Sequence, residues 1–232
     1  MKYLLVIACF SITLIGCKNN TNTTTKQENT KTVSKEKSME NLSTVEAIAY
    51  KNGFENWKNI NEIAFTFNVD RQGNHSERSW IWNPKTNEMK MMADKDSVSY
   101  NRSKMDSIAM ANDANFINDQ YWLLAPFNLL WDDSIKFSEK KTVVAPISKD
   151  TLNLLTATYT SNGGYTPGDA YDFYYGDDFI VKEWTYRKGN ASEPSMTTTW
   201  EEYQKFNGLN IATMHKDTSG NFKLYFTNIS VK

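Results

Sequence analysis

Residues 116–133 read FINDQYWLLAPFNLLWDD, the densest run of large apolar and aromatic side chains outside the N-terminal segment. It is too long and too evenly apolar for a solvated loop, and strand-like segments lie on both sides of it. Phe116, Ile117, Tyr121 and Leu124 recur at helical spacing, and Leu123, Phe127, Leu130 and Trp131 continue the apolar face. Pro126 ends one helical piece and suits the first turn of another. The stretch therefore predicts two short helical pieces that fill the concave face of a sheet.

Working outward toward the N-terminus, residues 103–111 predict a further helix with Met105, Ile108 and Ala109 on one face. Before it comes a meander. Ile63, Phe65, Phe67 and Val69 alternate with Ala64, Thr66, Asn68 and Asp70, the period of a strand. Turns are expected at 71–74, 84–87 and 94–96, with strands at 77–83, 88–92 and 97–101, Trp80 and Trp82 sharing a face. A helix opens the folded part. Ser43-Thr44-Val45-Glu46 is a capping-box pattern, and Asn52-Gly53 is a helix stop. Phe54 and Trp57 anchor a short connector.

Toward the C-terminus, strands are expected at 135–144, 152–159, 171–175, 179–187, 196–206, 209–215 and 222–231. Gly176-Asp177-Asp178 and Asn207-Gly208 are short hairpin links, the second matching a two-residue turn. The loops at 162–164 and 217–221 are looser. The fold class is mainly β with α: about eleven mostly antiparallel strands in one large curled sheet, a half-open barrel covered on its concave face by short helices. A small-molecule cavity between sheet and helices is the natural consequence. Trp122, Phe127 and Trp131 are the candidate cavity floor, and Phe65, Phe67, Trp80 and Trp82 the candidate wall.

The first sixteen residues carry an address. Lys2 is followed by an apolar run from Tyr3 to Ile15, shorter than the about 20 residues of a membrane span. The run ends in Leu14-Ile15-Gly16-Cys17, which resembles the lipobox of bacterial lipoproteins. That resemblance implies a signal peptide over 1–16, cleavage after Gly16 and lipidation of Cys17. It places the protein in a bacterial cell envelope, at the outer membrane facing the periplasm or the outside, with the membrane as a partner through the anchor. Residues 17–42 follow as the lipidated Cys and a tether rich in Asn, Thr, Lys, Glu and Ser, too polar to offset the entropy of ordering. The domain is 43–232, about 190 residues, the size of one domain.

Composition excludes several classes. The chain has two Cys, Cys9 in the signal and Cys17, so the domain has no disulfide, thiolate nucleophile or Cys metal ligand. Lys+Arg number 26 against Asp+Glu 27, and loss of Lys2 leaves 25 against 27, a charge of −2 with no basic face for nucleic acid. His75, in an expected turn, and His215, at a strand end, read as solvated histidines and form no metal-binding pair. Glu201-Glu202 points to opposite faces of a strand, Asp177-Asp178 belongs to a hairpin turn, and Asp132-Asp133 terminates a helix, so none makes a catalytic dyad. No cofactor, metal or enzyme motif is found.

Several features together resemble the periplasmic lipoprotein carrier, its outer-membrane receptor and a set of uncharacterised lipoproteins of the same fold. They are the opening helix ending at Asn52-Gly53, Trp57 before strand one, the hairpin WNPKTN at 82–87, the insertion YWLLAPF at 121–127, and the hairpin from Asp172 to Trp184. The resemblance covers the chain from about residue 43 and implies a groove between sheet and helices that holds acyl chains. The expected function is a non-enzymatic binding protein for an acyl chain, lipid or lipoprotein. A glycan-binding lipoprotein using exposed aromatics, and a structural envelope lipoprotein with a filled groove, are the alternatives. Asp-Ser/Thr-aliphatic at 96–98, 106–108, 133–135 and 150–152 resembles an O-glycosylation motif of exported proteins. Each Asp also suits a turn or helix cap.

Overall fold

The capping box at Ser43 forms as written. Ser43 Oγ accepts from Glu46 N while the Glu46 carboxylate accepts from Ser43 N, and helix α1 runs Thr44–Lys51. Asn52 closes it and Gly53 takes φ 90°, which turns the chain into a short 3-10 segment, Phe54–Asn59. The computed structural model describes residues 41–160 and 166–232, which belong to the compact unit Lys37–Lys232. Cys17, the signal and most of the tether lie outside the described residues, as does the loop at 162–164.

Among the described residues, twelve strands follow the turn chemistry of the sequence. Strands β1 (Ile63–Arg71), β2 (Asn74–Asn83), β3 (Glu88–Ala93) and β4 (Asp96–Asn101) make the meander. The first turn is tighter than the expected four residues. Gln72 and Gly73 both have positive φ, 52° and 80°, so a two-residue turn suffices, and His75 lies in β2 rather than in the turn. After helix α2 come β5 (Ile135–Val144), β6 (Thr151–Tyr159), β7 (Ala170–Tyr175), β8 (Val181–Arg187), β9 (Met196–Thr199), β10 (Glu201–Phe206), β11 (Leu209–Lys216) and β12 (Phe222–Val231).

The strands form two antiparallel sheets instead of one. A seven-stranded sheet has the order β10-β11-β12-β1-β2-β3-β4, and a five-stranded sheet the order β5-β6-β7-β8-β9. The reason lies in the expected strand 196–206. It breaks at Trp200, and its first half pairs with β8 while its second half pairs with β11. The side chain of Trp200 is buried at this corner, the backbone N–H of Trp200 donates to Lys182 O at 2.7 Å, and Glu202 just beyond it has φ 55°. One chain segment thus serves as the edge of each sheet.

The expected helices at 103–111 and 116–133 are parts of one helix. Helix α2 runs Ser107–Trp131, with Asp106 as N-cap accepting from Ala109 N at 2.8 Å. It kinks at Leu124 (φ −129°, ψ 25°), two residues before Pro126. Proline has no N–H to give and crowds the preceding turn, which is where the break falls. Asn128 Nδ2 bonds Leu124 O at 3.1 Å beside the kink.

The core explains why α2 is buried on every side from Trp122 to Phe127. Phe116 packs edge-on to Trp80 and Trp82 of the seven-stranded sheet, at 5.4 and 5.2 Å between centroids. Trp122 meets Trp184 of the five-stranded sheet at 4.4 Å. Past the kink, Phe127 and Trp131 pack on Phe54 and Trp57, with Trp57–Trp131 at 4.7 Å. A helix touching both sheets and the 3-10 segment has no solvated face left from Trp122 to Phe127.

The two turn glycines singled out in the sequence meet each other. Asn56 Nδ2 donates to Gly208 O at 3.1 Å, and Asn210 N to Asn52 O at 2.9 Å. A Cβ on Gly53 would lie 2.0 Å from Gly208 O. Gly53→Ala therefore has both a left-handed backbone and a backbone collision against it. It is expected to cost roughly 1–3 kcal/mol of stability, read as a lower urea midpoint. Gly73→Ala, whose Cβ meets nothing within 4 Å, should cost less.

Candidate functional site

Strand alternation builds one wall of a cavity. Phe67, Val69 and Arg71 are two residues apart on β1 and share its concave face. Their β2 partners on the same face are Arg78, Ser76 and Asn74. On the other side, Val69 pairs with Leu224 and Arg71 with Phe222 of β12. From α2, Ala114, Ile117, Asn118 and Tyr121 recur at helical spacing and face this wall. The five-stranded sheet supplies Tyr159, Tyr171, Trp184, Tyr186 and Met196. All of these residues line a cavity of about 850 Å³ between the helix and the two sheets.

The aromatic wall is held by its polar tips. Tyr159 Oη donates to Tyr121 Oη at 3.2 Å, and Tyr186 Oη donates to Asp169 Oδ2 at 2.8 Å. Asp169 is fixed in turn by Gly189 N at 2.7 Å. Tyr171 stacks on Tyr186 at 5.2 Å. Burial pushes the Tyr171 phenol up to about 12 and raises Tyr121 and Tyr159 as well, so these hydroxyls stay protonated. A wall of neutral phenols, indoles and phenyl rings offers flat apolar surface.

Charge is confined to defined places. Arg78 forms a two-pronged pair with buried Asp119 on α2, at 2.6 and 2.8 Å. On the convex face, Asp70 sits between His75 at 2.7 Å and Lys223 at 3.0 Å. The His75 pKa is raised by its hydrogen bonds to Asp70 and then Glu77. Asp132, the C-cap of α2, accepts from Ser134 N and Oγ.

Of the residues expected to form the ligand site, Trp122 and Phe67 line the cavity. Phe65, Trp80, Trp82 and Phe127 are buried in the common core, and Trp131 packs against Trp57. Trp80 spends its indole N–H on Asp119 Oδ2 at 2.8 Å. The wall residues absent from that expectation are Tyr121, Tyr159, Tyr171, Trp184, Tyr186 and Phe222. For Tyr171, Trp184 and Tyr186 the signal was the alternation of aromatics in the strands at 171–175 and 179–187. The sequence places them on one face without saying that α2 stops short of covering it.

His215, expected at a solvated strand end, is instead in the core. It is fully buried beside Trp122, Trp200 and Phe226, with Nδ1 against Thr199 O at 3.2 Å. The carboxylate pairs serve local structure. Asp178 Oδ1 accepts from Ile180 N and Asp177 Oδ1 from Asn153 Nδ2 in and beside the hairpin turn. Among the described residues no cluster of three or more His, Cys, Asp or Glu is placed to hold a metal ion, and no helix is long and apolar enough to cross a membrane.

No family model and no curated protein sequence matches the chain. Solved structures do. A DUF1329 family protein from Desulfovibrio piger aligns at TM-score 0.47 and 10% identity, over 82% of this chain and 92% of that one. A LolA superfamily protein from Nitrosomonas europaea aligns at 0.47 and 9%, over 82% and 94%. A domain from Vibrio parahaemolyticus assigned to outer membrane lipoprotein sorting aligns at 0.47 and 10%, over 81% and 92%. The structural neighbours of this chain are thus LolA superfamily, lipoprotein-sorting and DUF1329 proteins.

Proposed function

We propose that this protein is a lipid-anchored, extracytoplasmic binding protein that holds an apolar ligand, an acyl chain, lipid or lipoprotein, between its kinked helix and its two sheets. One observation carries the reading: a cavity of about 850 Å³ walled by Trp122, Trp184, Phe67, Phe222 and four tyrosines. Its size falls in the about 300–1,000 Å³ range of small-molecule sites. Removing apolar area from water is worth about 25 cal/mol per Å², or about 0.8 kcal/mol per methylene, so an alkyl chain supplies its own binding energy here. The lipobox at Cys17 would tether the domain at the envelope, where such ligands are found. The glycan alternative needs exposed rings. The exposed large apolar side chains of the described residues are Ile108, Met110, Phe137 and Val144, and no described Trp or Tyr is exposed.

The test is native mass spectrometry of the protein purified from a bacterial host without detergent, before and after solvent extraction. A bound species of lipid mass that extraction removes is expected. Trp122→Ala should retain at least tenfold less of it. A clean apo mass that stays unshifted when lipids are added back would eliminate the reading and leave the structural one.

A further inference from the structure

The cavity is graded in polarity along one strand. Phe67 is buried, Val69 is half-buried and Arg71 is exposed, all on the same face of β1. The flanking strands differ from it: the β12 partners Phe226, Leu224 and Phe222 are apolar and buried throughout, and the β2 partners Arg78, Ser76 and Asn74 are polar throughout. A bound chain lying along β1 would therefore have its apolar end beside Phe67 and its other end beside Arg71.

Arg71 differs from the other charges around the cavity. Its guanidinium lies 5.2 Å over the ring of Phe222, a cavity-lining residue. Among the described residues it makes no ion pair, whereas of the other charged residues lining the cavity Arg78 is taken by Asp119, His75 and Glu77 contact each other, and Asp132 accepts from Ser134. Stacking engages the flat face of a guanidinium and leaves its N–H edges free for a two-pronged bond to an oxyanion. The ring beneath also removes water from one side, which strengthens attraction to an anion there.

We propose that the ligand is an anionic amphiphile, with its carboxylate or phosphate headgroup bound by Arg71 at the rim and its chain inside the aromatic cavity. This rests on the apolar-ligand reading above and adds the charge of the headgroup to it. Asn74, the cross-strand partner of Arg71, supplies a neutral amide at the same rim.

Three twelve-carbon probes of one chain length separate the two claims. Dodecanoate, dodecanol and dodecylammonium are titrated into the purified protein at neutral pH, with tryptophan fluorescence as the readout. Dodecanoate is expected to bind at least tenfold more tightly than dodecanol, and dodecylammonium most weakly. Acetate at the same concentrations should leave the signal unchanged. In Arg71→Gln, dodecanoate should fall to the affinity of dodecanol, with dodecanol itself unchanged. Equal affinity for all three probes in the native protein overturns the anionic headgroup while the apolar cavity stands. Competition by acetate as strong as by dodecanoate overturns the amphiphile in favour of a free-anion site. Binding of none of the three overturns both readings. A drop in dodecanol affinity in Arg71→Gln assigns Arg71 to the shape of the cavity and also overturns the proposal.

Discussion

Asp119→Ala is expected to lower the unfolding free energy by about 3–5 kcal/mol, the cost of stripping one partner from a buried ion pair. Asp119 is fully buried on α2 and accepts four hydrogen bonds. Two come from Arg78, one from Trp80 Nε1 and one from Asn118 Nδ2 at 3.0 Å. The Arg78 side chain is only 30% exposed, so water replaces the carboxylate poorly. Trp80 is completely buried, and its indole N–H would have no acceptor at all. Asp119→Asn should cost less, since one amide oxygen still accepts, but its NH2 then faces donors. A surface pair makes the control. Lys232 and Glu62, 68% and 36% exposed, should give at most about 1 kcal/mol when broken. Urea unfolding at neutral pH measures all three. An Asp119→Ala protein within about 1 kcal/mol of the native one would mean that α2 is held by its aromatic packing and that the pair only sets its register.

The helix that carries Asp119 bears on how the chain could be read. The helix at 107–131 shows an apolar excess in sequence because three different surfaces pack on it, so its pattern never settles into one stripe. The break at Pro126 was legible, being a matter of local backbone chemistry. The continuity from Ser107 was not, because Asn112 to Asn115 reads as a polar break until Arg102, in the turn after β4, pairs with Asp113. Strand positions were legible for a similar reason: alternation and turn residues are local. The division into two sheets was hidden, because a strand that changes partners at Trp200 has the same period on both sides of the change.

The cavity was half legible for the same reason. The sequence says which aromatics share a strand face, which located Phe67, and which stretch is an apolar helix, which located Trp122. Whether a face meets a helix or an open space depends on where α2 passes. Trp80 and Trp82 lie under Phe116 and belong to the core, while the row Met196–Tyr186–Tyr171 is left facing the cavity. Arg71 was expected in a turn; the structure puts it at the end of β1 on the face of Phe67, and its seat on Phe222 needed the β1–β12 pairing, which joins segments from opposite ends of the domain.

Stability is expected to fall by about 2 kcal/mol between pH 6.5 and pH 5 on account of His215 alone. Burial among Trp122, Trp200 and Phe226 pushes its pKa down from 6.5 to about 3, against a smaller opposing effect of the Thr199 carbonyl. The folded value lies below the unfolded one. Between them the unfolded chain binds a proton that the native chain cannot, so this contribution is complete above about pH 6.5 and is lost as pH falls toward 3. The slope at full effect is about 1.4 kcal/mol per pH unit. The other histidine works in the opposite direction. His75 is exposed and its pKa is raised by Asp70 and Glu77, so its contribution is present at low pH and fades as pH rises through its folded value. His75→Gln removes that offset, and with two histidines in the chain it leaves His215 alone. The carboxylates with depressed pKa, Asp70 and Asp217, start from 3.8 and act below this window. In the His75→Gln background, urea unfolding from pH 7 to pH 5 should therefore show the His215 slope by itself. Adding His215→Phe should flatten it. An unchanged slope would mean that the ring is hydrated in solution and titrates close to its ordinary value.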